Sequence, residues 1–258
     1  MEAAVTESRI KTRVFPDLES LSHEAVHVFV ETSRQSISER KSFSVAISGG
    51  STPRMFYTLL GSDQYRDIVN WKRIHVFWAD ERCVPPEHRD SNYRHAFESF
   101  LSKVPVPDKN IHRIRGEKGS EQGAQEYENE LRRHFDTANL PVFDLVLLGM
   151  GEDGHTASLF RNSITLNEKG RLAVPVFRNK PDHDRITLTL PVLNNALHIV
   201  LLISGTSKSK TVANILGEKN GKHRYPVGRI QPTGGTVIWL LDREAAALLR
   251  TGRVCCSA

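Results

Sequence analysis

Short apolar runs recur along the chain and are separated by longer polar segments with helical spacing. Phe43–Ser48, Ile74–Ala79, Phe143–Gly149, Ile199–Ser204 and Thr236–Leu241 are mostly apolar on both faces. Strands of a parallel sheet read this way when helices cover both sides. Leu172–Phe177 is a further strand candidate. Arg185–Leu190 alternates Ile186, Leu188 and Leu190 with Thr187 and Thr189, which predicts an edge or one-sided strand. Helices are expected between these runs. Leu18–Glu39 places Leu21, Ala25, Val28 and Phe29 on one side, and Glu121–Phe135 spaces Tyr127, Leu131 and Phe135 four residues apart. Pro53–Leu60 predicts a helix with Ser51 or Thr52 as N-cap. Thr206–Leu216 follows a glycine-containing turn. The alternation predicts an α/β fold: one domain over residues 1–258, ordered from about 13 to 250, with a doubly wound, mainly parallel sheet and helices on both faces. Ligands of such sheets sit beyond the carboxyl ends of the strands.

Composition narrows the function classes. Of 258 residues, 39% are hydrophobic and 25% charged, as in ordered globular proteins. The formal charge is +5, compatible with an anionic ligand. The cations are scattered among acidic residues rather than concentrated on a face, which argues against nucleic acid. The three cysteines, Cys83, Cys255 and Cys256, form no disulfide framework and suit a reducing compartment, so a cytoplasmic location is expected. No metal-ligand spacing such as C-x-x-C is present, so no metal site is expected. Met1–Lys11 lacks the apolar stretch of a signal peptide, and no apolar run is long enough to span a bilayer. The final Cys255-Cys256-Ser257-Ala258 formally matches a prenylation box, but Ser257 is a poor aliphatic position and no polybasic segment precedes it.

Three strand-end loops carry candidate chemistry. In Ser48-Gly49-Gly50-Ser51-Thr52-Pro53, two glycines permit close backbone approach and the following helix offers free N–H groups, as phosphate binding requires. A tight turn with an ordinary N-cap has the same composition. The segment lacks the G-K-[ST] ending of a Walker loop. Asp80-Glu81-Arg82 puts three charges directly after a strand, where Arg82 can face a ligand; a solvated loop reads identically. The third loop, Gly149 to Thr156, contains Gly149, Gly151 and Gly154 as G-x-G-x-x-G. A dinucleotide site is a poor reading. Glu152 and Asp153 would lie where a pyrophosphate belongs, and Leu172–Phe177 does not end in an acidic residue to hold a ribose. A turn displaying Asp153 and His155 fits better, since imidazole can accept a proton near neutrality. Arg185, at the start of its strand, and Lys208 are further cations at ligand-side positions, each equally readable as a surface charge.

Taken together, these segments resemble the 6-phosphogluconolactonases, in the superfamily that also holds glucosamine-6-phosphate deaminases. The matching residues are Ser48–Pro53, Asp80–Arg82, Gly149–Phe160, Arg185–Thr189 and Gly205–Lys208, in the family's order from about Phe15 to Leu241. The resemblance implies a deaminase-like fold and hydrolysis of 6-phospho-D-glucono-1,5-lactone in the oxidative pentose phosphate pathway, with no metal or organic cofactor. It implies His155 as the base, with Asp80 and Arg82 at the reacting end. It gives Gly49, Gly50, Ser51, Thr52, Asp153, Gly154, Arg185 and Lys208 to substrate binding, with Lys210 an alternative to Lys208. The expected partner is a small sugar phosphate, with no nucleic acid or membrane, and the chain is a monomer or small homo-oligomer. Related deaminases typically carry an acidic residue five positions after the histidine, where this chain has Phe160, and tend to have an aromatic residue in place of Arg82. Arg161-Asn162 replaces the family's frequent Pro-Gly, and Arg178–Asp184 is unusually charged. No G-x-S-x-G elbow surrounds Ser158, so a serine nucleophile is not expected. Two other classes compete on the same residues: an isomerase or deaminase, and a non-catalytic sugar-phosphate sensor.

Overall fold

The computed structural model describes residues 10–217 and 221–249, together with the backbone of 255–256. The expectations about a leader before residue 10, and about Ser257 and Ala258, lie outside the described residues.

The first half of the chain forms β1 (Ile10–Phe15), α1 (Leu18–Arg40), β2 (Phe43–Ile47), α2 (Ser51–Leu60), β3 (Ile74–Trp78), β4 (Asp80–Arg82), α3 (Asn92–Ser99), β5 (Ile111–His112) and α4 (Ser120–Phe135). The second half forms β6 (Leu145–Gly149), β7 (Ala173–Val176), β8 (Arg185–Leu188), α5 (Leu190–Asn194), β9 (His198–Ile203), α6 (Ser209–Gly217), α7 (Gly221–Arg224), β10 (Thr236–Asp242), α8 (Arg243–Ala246) and β11 (Cys255–Cys256).

The main sheet has the order β11-β1-β10-β9-β6-β2-β3-β5 and is parallel throughout. From β2 the chain winds outward through β3 to β5; from β6 it winds the other way through β9 and β10. The direction reverses between β2 and β6, so their carboxyl ends flank the crevice where doubly wound sheets bind ligands. Every residue of β2 is buried, as are Ile199–Ile203 of β9. Strands this apolar must be covered on both faces, and helices supply the cover. One apolar cluster runs from Phe15 to Ala245 through both faces of the sheet.

A second, antiparallel sheet of order β4-β8-β7 sits at the carboxyl edge of the first. This corrects two expectations. Arg185–Leu190 provides the central strand of the small sheet, and Thr187 and Thr189 are as buried as Ile186 and Leu188. Asp80-Glu81-Arg82 is a strand and not a solvated loop, with Asp80 4% and Glu81 2% exposed. Leu172–Phe177 yields β7, antiparallel to β8. The strand Ile10–Phe15 went unforeseen because Lys11, Thr12 and Arg13 interrupt its apolar positions. At the start of α2 the N-cap is Gly50, with φ of +115°, rather than Ser51 or Thr52.

The end of β3 is held by α4. The Tyr127 hydroxyl accepts a hydrogen bond from the Trp78 N–H at 2.9 Å and donates to the Trp78 carbonyl at 2.8 Å. Tyr127→Phe removes both partners from buried backbone and is expected to cost about 1–3 kcal/mol. Urea denaturation checks this: an unchanged midpoint at unchanged slope would show that the bridge contributes nothing.

Candidate active site

Loops from the carboxyl ends of β2, β3, β6 and β9 enclose a cavity of about 190 Å³. Its lining includes Ser48–Pro53, Asp80, Arg82, Asn92, Gly149–Gly151, His155–Ala157, Arg185 and Lys208. Gly49, Gly50, Ser51, Thr52, Asp80, Arg82, His155, Arg185 and Lys208 are thus brought together. Lys210 is exposed and does not line the cavity. Asp153 and Gly154 do not line it either: Asp153 turns to His155, and Gly154 lies against Tyr225.

The glycine loop after β2 works through its backbone. Gly50 adopts a conformation that L side chains rarely tolerate, and α2 starts with no side-chain cap, leaving the first N–H groups of the helix without a side-chain acceptor. At Gly49 a Cβ would fall 1.8 Å from Asn92 Oδ1, so only glycine lets α3 approach. Helix start, dipole and hydroxyls together offer what an anion seat requires. At the other strand–helix junction the comparable groups are already taken. Gly205 N–H donates to Asp242 at 3.0 Å and Thr206 N–H to Glu244 at 3.3 Å, leaving the Lys208 amine as the contribution of that loop.

Strand β4 delivers three charges with different fates. Asp80 accepts from Ser158 Oγ at 2.6 Å and from Asn92 Nδ2 at 3.3 Å, which fixes its carboxylate in the cavity wall. Glu81 points the other way and anchors the start of α3. It accepts from Ser91 Oγ and from the N–H groups of Arg82, Asn92 and Tyr93. Burial pushes its carboxyl up to about 7, against the lowering pull of those N–H donors. Arg82 donates to the Asp90 carbonyl at 3.0 Å.

Across the strand pair, Arg82 stands directly opposite Arg185. Like charges in that register repel. Desolvation, followed by the neighbouring Arg82, holds the Arg185 guanidinium below its ordinary value. Neither arginine forms an ion pair with a carboxylate within 4 Å among the described residues. Five buried side-chain polar atoms lack a hydrogen-bond partner among those residues: Ser48 Oγ, Arg82 Nε, Asn92 Oδ1, Arg178 Nε and Arg185 Nε. Four of the five belong to residues lining this one cavity. Buried polar groups are normally paired, so this concentration is a place where a polar ligand or water can complete the bonding.

The third loop presents the imidazole. Gly151 N–H bonds to the His155 carbonyl at 2.9 Å, Gly154 turns at φ +80°, and Thr156 Oγ1 closes on the Gly149 carbonyl at 2.8 Å. No helix opens after this glycine run, and Glu152 and Asp153 occupy its tip, so the dinucleotide reading fails on geometry as well. His155 Nδ1 lies 2.6 Å from Asp153 Oδ1. An ionised carboxylate only accepts, so Nδ1 carries a proton, and in the neutral ring the lone pair is on Nε2. The bond to His155 lowers the Asp153 carboxyl to about 2. A Cβ at Gly151 would fall 2.1 Å from His155 Nδ1, so the ring depends on that glycine for its place. On its other side Phe160 packs at 4.6 Å between ring centroids, and Phe160 in turn carries Arg178 at 4.2 Å and Arg185 at 5.4 Å over its ring.

With three fixed cations, one carboxylate and one imidazole, the cavity suits an anionic substrate that must gain or lose a proton. The family model described as glucosamine-6-phosphate isomerases/6-phosphogluconolactonase matches residues 16–239. The chain belongs to this family. A curated relative named 6-phosphogluconolactonase from Synechocystis sp. is 42% identical over 219 residues, covering 84% of this chain and 88% of the relative. A solved structure of 6-phosphogluconolactonase from Trypanosoma cruzi is 31% identical with a TM-score of 0.81, covering 92% of this chain and 96% of its own. A monomeric glucosamine-6-phosphate deaminase structure is 22% identical with a TM-score of 0.73, covering 92% of this chain and 99% of its own; this likeness shows the shared fold alone.

Sequence reasoning missed Asn92, whose amide donates to Asp80 and lies against Gly49. The Ser91 N-cap ahead of a short helix was its only trace in the sequence.

Two consequences can be measured. Inorganic phosphate should raise the unfolding free energy, by about 2.7 kcal/mol at a hundredfold excess over its Kd. Arg185→Met should remove most of that gain without lowering the stability of the unliganded protein, since it relieves the opposition to Arg82. Calorimetry with and without phosphate checks both. A full phosphate response in the variant would exclude Arg185 from the anion seat.

Proposed function

We propose that this protein hydrolyses 6-phospho-D-glucono-1,5-lactone to 6-phospho-D-gluconate, the lactone-opening step of the oxidative pentose phosphate pathway. One observation carries the reading: a single cavity at the switch point joins a tautomer-fixed imidazole to a cationic anion seat. The family membership and the names of the relatives support it. The protein is proposed to act as one lactonase domain on a small sugar phosphate, as a monomer or small homo-oligomer, without nucleic acid or membrane. Among the described residues no helix is long and apolar enough to cross a membrane. The cytoplasm is proposed from the sparse cysteines.

In this mechanism the 6-phosphate rests at the start of α2, against Gly50, Ser51 and Thr52, with Arg185 and Lys208 as cations. That grip places the lactone carbonyl beside His155. Nε2 of His155 takes a proton from water as the water oxygen bonds to C1. Negative charge gathers on the carbonyl oxygen, where Arg82 stabilises it. The intermediate then collapses, the C1–O5 bond breaks, and the imidazolium returns its proton to O5. The product is a carboxylic acid, which ionises in water. Asp153 holds the ring and its tautomer throughout, as the buried aspartate does in hydrolytic triads. Asp80 acts through Ser158 and Asn92, keeping the wall in place.

The test is lactone consumption above the spontaneous background. His155→Ala should lose about a hundredfold or more in kcat. Arg82→Ala should lose about a hundred- to a thousandfold. Asp153→Asn should lower kcat with little change in KM, because it disturbs the base and not the grip. Near wild-type turnover by His155→Ala would overturn the mechanism. Release of ammonia from glucosamine 6-phosphate, without lactone turnover, would reassign the site to a deaminase. Binding without turnover would make it a sensor.

A further inference from the structure

Three histidines far apart in sequence meet outside the catalytic cavity. His75 lies on β3, His112 on β5 and His134 near the end of α4. His75 Nδ1 and His112 Nε2 are 3.1 Å apart. The His134 ring sits 4.5 Å from that of His75 and 4.8 Å from that of His112, centroid to centroid. One nitrogen from each of the three can be chosen so that all lie within 4.8 Å of one another. None of them lines the catalytic cavity.

Their environment keeps them uncharged and oriented. Burial drives His75 and His134 down to about 4 and lowers His112 as well. The cations facing the cluster, Lys109 and Arg133, add to the lowering, while Glu130 opposes it. Three neutral imidazoles packed together hold three lone pairs. His112 Nδ1 lies 2.7 Å from Glu130 Oε1, so its proton sits on Nδ1 and its Nε2 lone pair faces His75. This carboxylate–histidine arrangement orients imidazole ligands at metal sites. Glu130 is itself held by Arg133, and Ser44 Oγ contacts His134 Nε2 at 3.1 Å. Phe77 stacks flat on His112 at 4.2 Å and limits how far that ring can turn. A separate cavity of about 520 Å³, lined by His112, Glu130 and Arg133 among others, reaches the cluster at His112 and gives that ring an approach from solvent.

We propose that His75, His112 and His134 form a binding site for a zinc-type divalent transition-metal ion, which fastens β3, β5 and the end of α4 together. Imidazole nitrogens suit zinc, cobalt and nickel. Ligand nitrogens on a tetrahedral zinc ion lie about 3.3 Å apart, given bonds of about 2.0–2.1 Å. The His75–His112 separation is already close to that spacing; the proton that His75 Nδ1 donates to His112 Nε2 moves to His75 Nε2 as the ion takes its place, and His134 turns from Ser44 to close the third contact. Water completes the coordination from the cavity side. The role is structural, since the cluster lies apart from His155. The half-buried His88, Asp90 and His183 form the rival cluster among the described residues.

The test uses the full chain, stripped with a chelator and titrated with Zn²⁺ against a chromophoric competitor. One ion should bind per chain and raise the thermal midpoint. His112→Gln and His134→Asn should each weaken binding about tenfold or more. His88→Asn combined with His183→Asn should leave binding unchanged. Cobalt absorption and zinc-edge spectroscopy on the wild-type protein should report a low-coordinate site with three nitrogen ligands, which keeps the test independent of variant folding. Failure to bind at about 10 µM free Zn²⁺, fewer than three nitrogen ligands, or full affinity in both single variants would overturn the proposal. Lactone turnover is not a readout here, so the catalytic reading stands or falls separately.

Discussion

Ala79 is the residue through which the two sheets share a backbone. Its N–H donates to the Ile47 carbonyl of β2 at 2.8 Å, and its carbonyl accepts from Leu188 N–H of the small sheet at 2.8 Å. The chain therefore leaves the parallel sheet and enters the antiparallel one without an intervening loop. Strand alternation then dictates the rest. Asp80 and Arg82 point one way, toward the cavity, and Glu81 the other, toward the start of α3. The Tyr127 bridge to Trp78 fixes the residue before the junction. A flexible connection here would lose the register that sets Arg82 opposite Arg185, and the anion seat with it.

The cavity is a region of unresolved electrostatics inside a well-packed frame. Elsewhere the buried charges are matched: Glu128 holds Arg171 and the Leu172 N–H, and Asp144 holds Arg40 and the Ser44 N–H. Among the described residues, buried polar atoms without partners cluster around Ser48, Asn92, Arg82 and Arg185. A rigid surround is what allows such a site to persist, because the neighbours cannot relax to relieve it. Glycine serves the same end at Gly49 and Gly151, each making room for a functional side chain that a methyl group would displace.

How far the sequence disclosed this depended on how each residue is satisfied. The parallel core was legible, because β2, β6 and β9 are apolar on both faces and no other structure buries such runs so simply. The small sheet was not. Three consecutive charged residues look like solvated loop when their partners, Ser91, Asn92 and Tyr93, lie ten or more positions away. β1 was hidden by the polar residues of a half-exposed strand. The loops of the site were readable because their glycines and hydroxyls are local signals, and His155 with Asp153 is a contact across two positions. Asn92 left only the Ser91 N-cap beside it, and the histidine cluster left no local trace. Residues 75, 112 and 134 meet only once the sheet forms, and reading metal sites from cysteine spacing overlooks them.

Phe160 has a consequence for which chemistries this scaffold can host. Its ring separates His155 from the guanidiniums of Arg178 and Arg185, offering its faces to both without bearing a charge. A carboxylate at the same position would lie between an imidazole and two arginines and pair with them. The protein would then contain its own counter-ion, and the seat would be filled before any phosphate arrived. With an aromatic ring there, Arg178 keeps Asp182 as its partner, while Arg185 has no carboxylate partner among the described residues. If the proposed function holds, selectivity for an anionic substrate follows in part from an uncharged residue, through what it declines to satisfy.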